Sequence, residues 1–239
     1  MPIKFHKPGL LLLAIAGLVT GLILGDSNWK PVAAGIPDAG PVITWSLQVL
    51  KLIFTFVSLL ILGKLITITF FVKSNNLTDS LREIGGLANL LVVVAVLVAI
   101  GQMAYLLGLD LGTTFSPGTI STYLFDLTSS RGYVISAVLA LVIALLALFI
   151  KSDNSLFLLI ILTVSAIVTP LLNSHAAALG DHSLALTSSI IHGVAISIWA
   201  GTLIALFPHL SGAGEKIFMQ FGSLASCLLY TSDAADDTP

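Results

Sequence analysis

Long apolar runs broken by short polar stretches set the pattern of this chain. They cover about 10–24, 42–72, 85–109, 132–150, 155–172 and 184–207, and a seventh starts near Ile217 and turns polar after about a dozen residues. A helix rises 1.5 Å per residue, so about 20 apolar residues cross the hydrocarbon layer of a bilayer. The runs are continuous rather than alternating, and lipid offers no partner to an unpaired backbone group, so helices rather than barrel strands are predicted. The expectation is an all-α, polytopic transmembrane helical bundle with six complete spans and a truncated seventh.

The breaks between runs refine that picture. The first run has the length and basic leader of a secretory signal, but no small-x-small cleavage site directly follows Leu24, which favours a retained span. Residues 26–41 hold three prolines and two aspartates and read as an outer loop. The second run would be about 46 Å long if wholly helical. Its Trp45 suits the outer interface, and Lys51 and Lys64 can snorkel in opposite directions. Residues 73–83 read as a polar inner loop, and 110–130, with Pro117, as a longer outer loop whose Tyr123 and Phe125 lie on the membrane surface. The tight break at 151–154 makes the fourth and fifth helices antiparallel neighbours.

Charge gives the runs a direction. With the amino terminus inside, the inner segments hold Lys4, Lys7, Lys73, Arg82, Lys151 and Lys216, and the outer loops only Lys30 and Arg131. An excess of Lys and Arg on the cytoplasmic side supports that orientation, hence a multi-pass plasma-membrane protein with a cytoplasmic amino terminus. It puts His175 and His182 outside, and His6 and His209 inside.

Composition agrees. Of 239 residues, 56% are hydrophobic and 9% charged, and the mean hydropathy is +1.05. Soluble domains carry about 25% charge, so the bilayer is the first partner to expect. A net charge of −2 provides no basic field for nucleic acid.

Candidate chemistry gathers at one place. His175, His182 and His192, three of the five histidines, fall within eighteen residues at the outer mouth of the sixth run. Imidazole binds copper, zinc and haem iron, and a histidine inside a span is costly enough to suggest function. Asp181 can join a metal shell, orient His182 through its other N–H, or cap the following helix. On the sixth run Gly193, Ser197 and Gly201 recur every four residues, a stripe that admits a close neighbour, and His192 and Trp199 share another face. His182 and His192 are ten residues apart, about 15 Å on a continuous helix. One ion held by both requires a loop that folds back; otherwise they mark successive stations of a path.

The carboxyl end differs in kind. Residues 227–239 are acidic and polar and resemble a translated transposase sequencing adapter, so 1–226 are expected to form the membrane domain of a chain that continues beyond this sequence. Cys227, the only cysteine, lies at that join and is set aside as a ligand.

The set His175-Ala176, Asp181-His182, His192 and Trp199-Ala200-Gly201 resembles the copper resistance D family of bacterial inner-membrane proteins. The outer loop rich in glycine and proline, with Trp45, Lys51 and Gly63 on the second run, is similar to actinobacterial members, some of them fused to a cytochrome oxidase assembly domain. The likeness covers about residues 8–226, and departs at Ala200, where such families often carry a second glycine. It implies a non-enzymatic protein that moves copper across the plasma membrane, with His175, Asp181, His182 and His192 as metal ligands. Two other readings stand beside it: a b-type haem protein using histidines as axial ligands, and an assembly factor docked on cytochrome oxidase components through the small-residue stripe. Acid/base or nucleophilic catalysis has no support in the sparse carboxylates.

Overall fold

The computed structural model describes residues 38–72, 76–109, 111–123, 131–150, 155–172 and 182–209, together with 217, 219–228 and 230. All the regular elements among them are helices. Five are long: α1 (Gly40–Ile66), α2 (Leu77–Leu107), α3 (Arg131–Phe149), α4 (Leu156–Leu172) and α5 (His182–Leu206). A π-helical turn, Thr67–Phe71, continues α1 and closes with Val72 N–H donating to Thr67 O at 2.9 Å. Four helices are long and apolar enough to cross a membrane: Gly40–Phe71, Leu77–Leu107, Arg131–Phe149 and Leu186–Leu206. At 17 residues α4 is equally apolar but shorter, and the first predicted run, 10–24, lies outside the described residues.

Local chemistry sets the ends. Asp38 Oδ1 accepts the Gly40 N–H at 3.1 Å, and Pro41 occupies the first turn of α1, where a missing N–H costs nothing. The second helix starts earlier than expected. Asn76 Nδ2 donates to Asp79 Oδ2 at 2.6 Å, Asp79 lies in the positive first turn, and residues 77–83, expected to be loop, are therefore helical. At the far end Gly108, with φ of +60°, adopts the left-handed conformation that closes a helix. The expected 110–130 loop is also partly helical, with single turns at Leu111–Thr114 and Pro117–Ser121. Ser116 caps the second by accepting the Thr119 N–H at 3.2 Å. Tyr123, expected at the membrane surface, is only 3% exposed and packs with Ala99 and Met103.

The four helices α1 to α4 pack in sequence, and α4 returns to touch α1, so they close a bundle with α5 laid along α1 and α4. Leu47 of α1 meets Gly101 of α2, and Lys64 meets Glu83, which makes the pair antiparallel. On α2 the buried set Leu81, Ile84, Ala88, Leu91, Ala95 and Val98 keeps a three-four spacing, the seam of a bundle helix. Facing it on α3 are Ala137, Ala140 and Ala144. In lipid no hydrophobic force drives helices together, so small residues that bring backbones close carry the packing.

The closest approaches make the point. A Cβ on Gly63 of α1 would lie 2.0 Å from the Gly201 carbonyl carbon of α5, and a Cβ on Gly201 2.1 Å from Leu59 O. Between α3 and α4, a Cβ on Gly132 would lie 2.6 Å from Thr169 O and 2.7 Å from Pro170 Cα. Pro170 has no N–H for the carbonyl of Ala166, one turn back. Ser136 Oγ of α3 donates to that carbonyl at 2.6 Å, and Thr169 Oγ1 lies 2.8 Å from the same hydroxyl. Outward, large apolar side chains such as Phe56, Val93, Leu148 and Ile161 stay exposed, as expected of a surface whose solvent is lipid.

Candidate functional site

The histidine-bearing helix is longer than its apolar run. It begins at His182, one residue after Asp181, and continues unbroken to Leu206. His182 is thus a helical residue, not part of a loop that folds back. Ten residues on one straight helix separate His182 from His192 by about 15 Å along the axis and about 80° around it. His175 and Asp181 lie outside the described residues. Among the described residues, no three of His, Cys, Asp or Glu gather closely enough to hold a metal ion.

The faces of α5 divide as the spacing predicts. Gly193, Ser197 and Gly201 turn inward: Ser197 is buried, Gly201 touches α1, and a Cβ on Gly193 would meet Leu171 of α4 at 2.9 Å. The small-residue stripe is therefore used within the bundle. His192, Ile196 and Trp199, spaced four and three apart, turn outward, with Ile196 45% and Trp199 42% exposed. Further along, Thr202 is fully buried, and its Oγ1 has no hydrogen-bond partner among the described residues. A buried hydroxyl left unpaired costs about 1–3 kcal/mol.

A second polar place was not anticipated. Lys64 Nζ meets Glu83 Oε2, joining the last turn of α1 to the first turns of α2, so Lys64 does not simply snorkel. The pair edges a cleft of about 310 Å³ that Thr67, Ser80, Ala205 and Pro208 also line. Thr67 is 2% exposed, and its Oγ1 too lacks a partner among the described residues. A signal for it existed. Lys64 closes one span and Glu83 opens the next across a short break, positions that face each other in any antiparallel hairpin. Lys51, by contrast, is half-buried within the span.

A lateral groove of about 420 Å³ between α2 and α3 is lined by apolar and aromatic side chains, among them Met103, Phe115, Tyr123 and Leu141. Residues 219–228 are helical; Phe221 is buried against Phe71 with ring centroids 6.4 Å apart, while Cys227 is exposed. No family model, curated protein or solved structure matches this chain.

Proposed function

We propose that this chain carries copper ions across a bacterial plasma membrane, as a six-span bundle with a cytoplasmic amino terminus. A copper ion enters at the outer mouth among His175, Asp181 and His182, then passes to His192. What supports the reading is one observation: a continuous apolar helix carries an imidazole at its first residue and another ten residues deeper. Neutral imidazole accepts copper in either oxidation state, and the separation of about 15 Å suits transfer between stations rather than one tight cage. Copper is cargo in this reading. Weak, successive sites release an ion that a closed shell would retain.

In this reading Asp181 has a second task. It directly precedes the first residue of α5, the position at which an aspartate side chain caps a helix. A carboxylate there offsets both the charge of a cation at the mouth and the partial positive charge of the helix start.

The test is copper accumulation by cells bearing the wild-type chain or His192→Ala, with the amount of protein in the membrane measured in parallel. The expected result is loss of copper-dependent accumulation at unchanged membrane abundance. Unchanged cellular copper at equal abundance overturns the proposal.

A further inference from the structure

The cleft beside the Lys64–Glu83 pair lies near the closed end of the α1–α2 hairpin, about two turns before the apolar helix Gly40–Phe71 ends. Lys64 is nineteen residues beyond Trp45, about 28 Å along α1 and close to the thickness of the hydrocarbon core. On α2, Thr78, Asp79, Ser80, Arg82 and Glu83 are followed from Ile84 by an almost uninterrupted apolar run. Past Leu206, α5 gives way to Phe207 and Pro208. The polar start of α2 and the end of α5 meet at the cleft, about two turns inside the apolar end of α1, within reach of a lipid headgroup.

Its lining has the two-sided character of a phospholipid headgroup. Lys64 supplies an ammonium and Glu83 a carboxylate, with side chains 37% and 65% exposed, so both remain accessible while in contact. Thr67 and Ser80 add hydroxyls, and Ile68 and Pro208 supply apolar wall. The volume of about 310 Å³ is at the small end of ligand pockets. The π turn at Thr67–Phe71 widens the end of α1 here, a distortion that recurs at functional sites.

We propose that this cleft seats the headgroup of a zwitterionic aminophospholipid, with its phosphate on Lys64 and its ammonium on Glu83. The complementarity is specific. An acidic headgroup without an amine satisfies Lys64 and leaves Glu83 facing its negative charge, whereas phosphoethanolamine presents opposite charges to both.

The experiment uses the full chain in nanodiscs of equal parts phosphatidylethanolamine and phosphatidylglycerol, extracted gently, with retained lipid measured by native mass spectrometry. Wild type is expected to retain phosphatidylethanolamine over phosphatidylglycerol. Glu83→Gln is expected to lower that preference about tenfold, the scale of a charge-assisted hydrogen bond. Lys64→Met is expected to weaken retention of both lipids. Equal retention of the two by wild type overturns the proposal without recourse to any variant. So does a preference unchanged in Glu83→Gln. A third arm adds soluble glycerophosphoethanolamine: displacement of retained lipid only at large excess supports a lipid occupant, and equal affinity for the soluble compound overturns it.

Discussion

Ser136 is the residue whose role depends most on a distant partner. Pro170 leaves the Ala166 carbonyl without its helical donor, and the Ser136 hydroxyl supplies one from the neighbouring helix. Thr169 Oγ1 also reaches that carbonyl, at 3.3 Å, so Ser136→Ala is expected to destabilise the bundle by the net worth of one hydrogen bond, about 0.5–1.5 kcal/mol. Pro170→Ala returns an N–H to that carbonyl, so the double variant is expected to lose less than the two single losses added. Thermal unfolding in detergent measures the cycle, and strictly additive losses would contradict the account. Pro170 is conspicuous in the sequence. Ser136 is not, because only the register of α3 on α4 says which hydroxyl faces the gap. His182 is a similar case: the apolar pattern starts at Leu184, and only the backbone shows that the helix includes the histidine.

At the scale of elements, the glycine crossing of α1 and α5 fixes where the histidine helix lies. With backbone atoms 2.0–2.1 Å from the positions of the missing Cβ atoms, no rotamer change relieves Gly63→Ala or Gly201→Ala. Each is expected to cost about 1–3 kcal/mol or more by forcing the helices apart. Gly86→Ala, where nothing lies within 4 Å, should leave the unfolding temperature unchanged or slightly raised. Equal behaviour of Gly86 and Gly201 variants would show that the crossing does not carry the packing. The stripe Gly193, Ser197 and Gly201 was legible from its spacing, but its partner was not, since an apolar bundle offers every helix as a neighbour. The start of α2 was obscured for a different reason. Thr78 to Glu83 are polar, yet Leu77, Leu81 and Ile84 already follow the seam that Ala88 and Leu91 continue.

For the whole molecule, hydropathy was the dominant signal because the bilayer demands it. Long apolar helices with exposed outer faces follow directly from runs such as 85–109, and their order follows from short breaks. What the runs do not encode is which polar groups meet at the ends. The Lys64–Glu83 cleft arises only when α1, α2 and α5 are brought together. The proposed path starts at His182 and reaches His192 on the outward face of α5. Its central claim is that the two imidazoles on α5 are separate copper stations. Equilibrium dialysis of the purified full chain against copper, with metal per chain measured by elemental analysis, tests that claim most directly. The account predicts that His182→Ala and His192→Ala each lower bound copper and that the double variant lowers it further; copper binding unchanged in the double variant would contradict it.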